Sequence, residues 1–339
     1  MAGSGSGSGS APHAQASGLV RIPVDPDCCG FSDYGDCASD TTSLCLELFE
    51  DHFENGRRYH GYNNGAYWAP NDQQQNEQLV LAYKSPLVAL LLAPVDRDIE
   101  VSEEFSMLEP ALEWYVHAAL TYVPYNTLTD FADEYPSAEV IGTDLSPIQP
   151  AFVPPNVRFE IEDATLEWTF PQDHFDLIHV RTLYGSVGDW PAFYQRTLSH
   201  LKPGGWFDQL EMSVQFQSDE RNLKDHHILS VWSKLFIRMG EMTGKTFRIA
   251  ELAKGYMEKA GFQNVTEVRF KLPVGTWSSD KHMKELGEWN LLQCDQGIEG
   301  WAMALLTRVL KWSVDEVKLF LAEMKIGLQD SKVRAYFNV

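Results

Sequence analysis

The chain has 339 residues, 44% of them hydrophobic and 22% charged, which is ample for a buried core in one large domain or two ordinary ones. A formal net charge of −21 argues against a surface built to neutralise phosphates, so neither nucleic acid nor an anionic membrane is an expected partner. The most apolar run, SPLVALLLA at 85–93, is too short to span a bilayer.

Residues 1–18 are a Gly/Ser-rich tract, and disorder is expected to continue to about residue 45. No basic stretch followed by an apolar core opens the chain, so the expected compartment is cytoplasmic or nuclear. Cys28, Cys29, Cys37 and Cys45 lie in this tail without a CxxC pair or a nearby histidine, so no metal site is expected. Helical periodicity is read from Leu44 through HGY at 60–62. A second helix follows from Asp72, a suitable cap, through the apolar run at 85–93.

From Ser137 strands and helices alternate. AEVIGTD, VRFEIEDA and FDLIHVR read as buried strands, and DWPAFYQRTLSHL reads as a helix with Pro191 in its first turn. The KPGG breaker at 202–205 leads to a strand, WFDQLEMSVQF. A helix over 247–260 ends at Gly261, followed by the strand NVTEVRFKLPV. Two helices, about 281–311 and 313–329, and the opening of a strand in RAYFNV complete the pattern. The expected fold is α/β, a mostly parallel sheet with helices on both faces. One domain spans 46–339, with a helical lid over about 281–329.

Ligands of open parallel sheets bind beyond the carboxyl ends of the strands. Asp144 ends the first clear strand, where a carboxylate accepts hydrogen bonds from both ribose hydroxyls; a turn cap is the competing reading, since Leu-Ser-Pro follows. Asp163 ends the next strand and suits the exocyclic amine of an adenine. His179 and Arg181 share the tail of FDLIHVR. His179 lies on the face of Phe175 and Leu177, which suits packing, while its place near the strand end also suits a substrate. LKPGGW at 201–206 is a turn in which glycine permits positive φ.

These segments resemble the class I methyltransferase (Rossmann-like) fold, and more narrowly the LaeA-like methyltransferases of filamentous fungi. The resemblance rests on ENGRRYHGYNNGAY, APNDQQQNEQ, FADEYPSAEVIGTDLSPIQPAFVPPNVRFEIEDA, LKPGGW, ELGEWNLLQCDQGIEGWAMALLTRVLKWS and RAYF, which together cover most of residues 48–339. It implies S-adenosyl-L-methionine as methyl donor and a role in secondary metabolism or its regulation. Its acceptor would be a small metabolite or a group on a protein in a regulatory complex. Tyr59, Asp144, Leu145, Asp163 and Ala164 fall on cofactor-contacting positions, and Tyr59 and His60 on an N-terminal helix folded over the cofactor. His179, Glu211 and His60 are the candidate bases should the acceptor need to lose a proton.

The chain departs from the family at the cofactor turn. Where the family has a stretch resembling VLDIGTGTGIWAIDFADEYPS, this sequence has AALTYVPYNTLTDFADEYPS, and no glycine occurs between Ala66 and Ile141. Thr121 to Tyr125 stand in place of the glycines, and Pro124 removes a backbone donor. Residues 95–119 read as helix rather than as an approaching strand. Three readings follow: a divergent methyltransferase, a methyltransferase fold turned into a cyclase needing no methyl donor, or a misjoined segment over a lost strand. A non-catalytic interaction protein, working through its acidic surface, is the remaining functional alternative.

Overall fold

The computed structural model describes residues 51–62, 67–84, 113–117, 125–146, 152–220 and 223–339. The low-complexity tail, its four cysteines and the segment Thr121–Pro124 lie outside the described residues.

The chain enters as a β-hairpin, β1 (His52–Glu54) against β2 (Arg57–Tyr59), and not as a helix. The reason is local. Asn55 and Gly56 adopt φ 51° and 78°, the pair of left-handed residues that a two-residue hairpin turn requires, and Asn-Gly is the sequence best suited to it. The helical spacing of the flanking apolar residues is overridden. Helix α1 (Gln73–Lys84) follows, with Asp72 Oδ1 accepting from the Gln75 amide at 3.0 Å as its cap.

The segment expected to lack a strand contains one. β3 (Glu113–His117), sequence EWYVH, is rich in aromatic and β-branched residues and pairs in parallel on both edges. Helix α2 (Tyr125–Glu134) leads to β4 (Glu139–Asp144) and then β5 (Val157–Ile161). β6 (Phe175–Arg181) is followed by α3 (Trp190–His200), whose first turn is capped by Asp189, and by β7 (Leu201–Leu210). The KPGG segment falls within β7, where the register shifts between Phe175 and Leu177 and Gly204 sits at φ 86°; it acts as an irregularity in the strand rather than a separate turn.

The sheet order is β5-β4-β3-β6-β7, parallel at every pairing. The chain moves outward from β3 to β5, then returns to build β6 and β7 on the other side. The strand order therefore reverses between β3 and β6, where an α/β sheet opens its ligand crevice.

Helix α4 (Ile228–Thr243) is a further element, absent from the sequence reading. Leu229, Trp232, Phe236 and Met239 form its buried stripe, and Gly244 at φ 71° terminates it. Helix α5 (Ile249–Ala260) ends at Gly261 as expected. Of the strand expected over 264–274, only β8 (Lys271–Pro273) forms, paired antiparallel with β9 (Tyr336–Asn338). Between them lie α6 (Lys281–Arg308) and α7 (Val314–Leu328).

Two apolar clusters cover the sheet. Leu128 and Ala132 of α2 pack on Val140 and Val157. The larger cluster joins Phe175, Ile178 and Val180 to aromatic residues of α3, α4 and α7, with Trp232 stacked on Phe236 and on Phe320.

Candidate functional site

Asp144 and Asp163 stand at the carboxyl side of adjacent strands, β4 and β5, and both are buried. Asp144 Oδ1 accepts from the Ser146 amide at 2.8 Å. Asp163 Oδ1 accepts from the Thr165 amide at 2.9 Å and its hydroxyl at 2.7 Å. Each carboxylate thus braces its own turn. Leu145 is a core residue, and the Ala164 carbonyl accepts from Trp168 Nε1 at 2.9 Å.

The N-terminal hairpin is pinned to this edge. His60 Nδ1 lies 2.5 Å from Ser146 Oγ, and Asn71 Nδ2 donates to the same hydroxyl at 3.0 Å. Burial, with Arg58 adding repulsion, lowers the His60 imidazole to about 4, so it is neutral at physiological pH. An edge-to-face contact joins His60 to Tyr67 (5.6 Å), followed by Trp68 and then Tyr184 beyond β6. Tyr62 and Lys245 flank Asp163: burial and then the carboxylates of Asp163 and Glu162 raise the Tyr62 hydroxyl, while burial lowers the Lys245 ammonium against the pull of Asp163.

Tyr59 turns elsewhere. It belongs to β2, not to a helix, and its ring lies under the Arg308 guanidinium of α6 at 4.5 Å. Burial pushes its hydroxyl up to about 12, against the opposing pull of Arg308, and that hydroxyl has no hydrogen-bond partner among the described residues. Arg57 on the same face pairs with Asp72 through Nε (2.6 Å) and Nη2 (2.8 Å). Gly300 of α6 abuts this pair, since an added Cβ would lie 2.3 Å from Gln75 Oε1 and 3.1 Å from Arg57 Nη1.

His179 sits two residues inside the end of β6, opposite Asp208 of β7 and Val116 of β3. Its Nδ1 lies 2.6 Å from Asp208 Oδ2, and its buried Nε2 has no hydrogen-bond partner among the described residues. Glu211 follows β7 directly. Its Oε1 accepts from the Leu183 amide (2.9 Å) and Gln209 Nε2 (3.1 Å), and its Oε2 from the Tyr184 amide (3.3 Å). Burial drives this carboxyl up to about 7, although its three donors pull the other way.

The three candidate bases do not converge. His60 is tied to the turn after β4, whereas the Glu211 carboxylate is tied to the loop after β6, on the far side of β3. Sequence reasoning missed Asn71, Ser146, Tyr62, Trp68, Lys245 and Asp208. Only Ser146, in the Leu-Ser-Pro following Asp144, left a local signal.

A sequence profile described as a methyltransferase domain matches residues 126–267. The chain is 32% identical over 324 residues to the methyltransferase pytC of Aspergillus terreus, covering 94% of each chain. It is 31% identical over 296 residues to the secondary metabolism regulator LAE1 of Cochliobolus heterostrophus, covering 85% of this chain and 92% of that one. The chain belongs to the LaeA-like family of fungal methyltransferases. Among solved structures, phosphoethanolamine N-methyltransferase 2 of Haemonchus contortus with S-adenosyl-L-methionine is similar at 13% identity and a TM-score of 0.40, over 88% of this chain and 72% of that one. The LaeA-like chain has the class I methyltransferase fold, its parallel sheet ordered β5-β4-β3-β6-β7. Among its described residues, no helix is long and apolar enough to cross a membrane.

Proposed function

We propose that this LaeA-like chain transfers a methyl group from S-adenosyl-L-methionine to a small metabolite in fungal secondary metabolism. The observation that carries the reading is the pair Asp144, the last residue of β4, and Asp163, two residues past the end of β5, beside the point where strand order reverses. The chemistry of this pair fits an adenosine: one carboxylate for two ribose hydroxyls, the next for an exocyclic amine. Similarity to pytC over 94% of both chains supports methyl transfer as the reaction class.

When bound, the donor supplies a methyl carbon already activated for displacement. The protein's own contribution is alignment and exclusion of water. Asp144 would hold the ribose, with Ser146, His60 and Asn71 keeping its turn in place. Asp163, Leu145 and Ala164 would border the adenine, with Tyr62 and Lys245 at the mouth. Residues at the ends of β4 and β5 would hold the adenosine, and those at the ends of β6 and β7 would border the acceptor. His179, fixed through Nδ1 by Asp208, keeps Nε2 as the group able to hold a proton there. Residues 46–339 would act as one domain with α6 and α7 as its lid, and a regulatory partner protein would engage the acidic surface.

Calorimetric titration with S-adenosyl-L-methionine and S-adenosylhomocysteine tests the reading. One-site binding of both is the expected result. No heat of binding up to millimolar ligand, from protein with a cooperative melting transition, would overturn it.

A further inference from the structure

The loop after β6 is held from three directions. Thr182 turns the chain at φ 54°, and its amide donates to the Leu210 carbonyl at 3.0 Å. The next two amides, Leu183 and Tyr184, both point at the Glu211 carboxylate. Trp68 Nε1 donates to the Tyr184 carbonyl at 3.1 Å, and the Gly185 amide donates to the Thr246 carbonyl at 2.9 Å. Gly185 sits at φ 73° against Phe247, where an added Cβ would lie 2.3 Å from the ring. Successive amides converging on one anion form a nest, and here a side chain of the protein is the anion.

Glu211 is in turn fixed from behind. Tyr194 of α3 donates from its hydroxyl to Gln209 Oε1 at 2.7 Å, and Gln209 Nε2 donates to Glu211 Oε1. A continuous hydrogen-bonded chain therefore runs from α3 through β7 into the loop. Both carboxylate oxygens carry protein donors and the residue is 7% exposed, so neither oxygen is presented to a reactant.

We propose that Glu211 is a positioning residue, whose carboxylate fixes residues 182–186 as the acceptor-side wall of the cleft and exchanges no proton with the substrate. The acceptor-side assignment rests on the methyl-transfer reading; the fastening of the loop does not. In a local opening that removes the two loop donors but leaves the carboxyl buried, the ionised form of Glu211 is the one that holds the loop. Protonation would turn one acceptor oxygen into a donor facing an amide, so the loop loosens as pH falls through about 7, whereas global unfolding also solvates the carboxyl. The groups facing it are Tyr184 on the loop and Tyr194 on α3, with Arg181 at the end of β6 and Cys294 of α6 beside Tyr184. Burial raises both tyrosines, and raises Cys294 to about 12, so these groups do not titrate near neutrality. A response near pH 7 belongs to Glu211.

Hydrogen–deuterium exchange of the peptide spanning 182–187, corrected for intrinsic rates, tests this between pH 5.5 and 8.5. In the wild type the loop should be protected at pH 8.5, and protection should fall through a titration near 7. In Glu211→Gln exchange at pH 8.5 should rise roughly ten- to hundredfold and show no titration, with α6 peptides unchanged as the control for folding. Trp68→Phe, which removes the Tyr184 carbonyl's donor, should loosen the loop while preserving the titration. Wild-type protection that is flat with pH, or a Glu211→Gln loop as protected as wild type, would overturn the proposal. S-adenosylhomocysteine calorimetry on the same proteins separates the two ideas: absent binding with an intact loop titration sinks only the methyl-transfer reading.

Discussion

His60 and Ser146 are 86 positions apart in the chain and share a 2.5 Å contact that binds the N-terminal hairpin to the turn after Asp144. Because the imidazole is buried, this contact belongs to its neutral form. The unfolded chain takes up a proton near pH 6.5, whereas the folded one does so near 4. Between those values the unfolded state binds more protons, so folding stability rises with pH across that window and is lost as pH falls through it.

The expected consequence is an acid-sensitive fold with an assignable origin. His60→Asn keeps a polar atom near the Nδ1 position but cannot titrate. Measured by urea denaturation, the wild type should lose about 3 kcal/mol relative to this variant between pH 7 and pH 4. A constant difference between the two proteins across that range would show that His60 is not held neutral.

Glu211 carries the opposite sign. Its folded pKa of about 7 stands above its ordinary value of 4.5, so the folded state binds more protons over that window. Stability supplied by the protonated acid is present at low pH and declines as pH rises from about 4.5 to 7. Relative to Glu211→Gln, the wild type should lose about 3 kcal/mol over that rise. Parallel denaturation curves at pH 5 and 8 check this, and a wild type that gains on the variant with rising pH would refute it.

The β/α alternation beyond Ser137 was legible because each strand is a short apolar run bounded by turn residues. The position of Asp144 as the last residue of β4 was legible for the same reason, while β5 ends at Ile161, two residues before Asp163. The hairpin was misread because apolar spacing outweighed the two-residue signal Asn55-Gly56, which sets the chain direction. β3 escaped because its five residues lie in a stretch without flanking glycines, and its strand identity comes from β4 and β6 pairing on either side. The His60–Ser146 contact leaves no trace in local sequence at all. Tertiary pairing between distant segments decides it.

The Arg57–Asp72 pair makes a ranked stability prediction. Arg57 is nearly enclosed (side chain 6% exposed), while Asp72 keeps 19% of its side chain in contact with solvent. Removing Asp72 strands the more deeply buried charge and also removes the cap of α1. Asp72→Ala should therefore cost about 3–5 kcal/mol, more than Arg57→Met, which leaves a carboxylate that water can partly reach. Thermal melts of the two variants test the order. If Arg57→Met were the worse, α6 packing around Gly300 rather than charge burial would dominate the site.

Asp144 and Asp163 should differ in what an amide replacement removes. Two ribose hydroxyls need two acceptor oxygens, and asparagine offers only one, its other atom being a donor. A single exocyclic amine needs one acceptor, which asparagine still supplies when its oxygen faces the amine, at the cost of the Thr165 contacts now made by Oδ1. Asp144→Asn should therefore weaken S-adenosylhomocysteine binding roughly ten- to hundredfold, and Asp163→Asn by less than tenfold. Adenosine alone should show the same ratio between variants, because both contacts lie in the adenosine half. Calorimetry on the wild type and the two variants, each with both ligands, decides the matter. A larger loss for Asp163→Asn, or losses seen with S-adenosylhomocysteine but not with adenosine, would move the nucleoside away from the β4 and β5 ends.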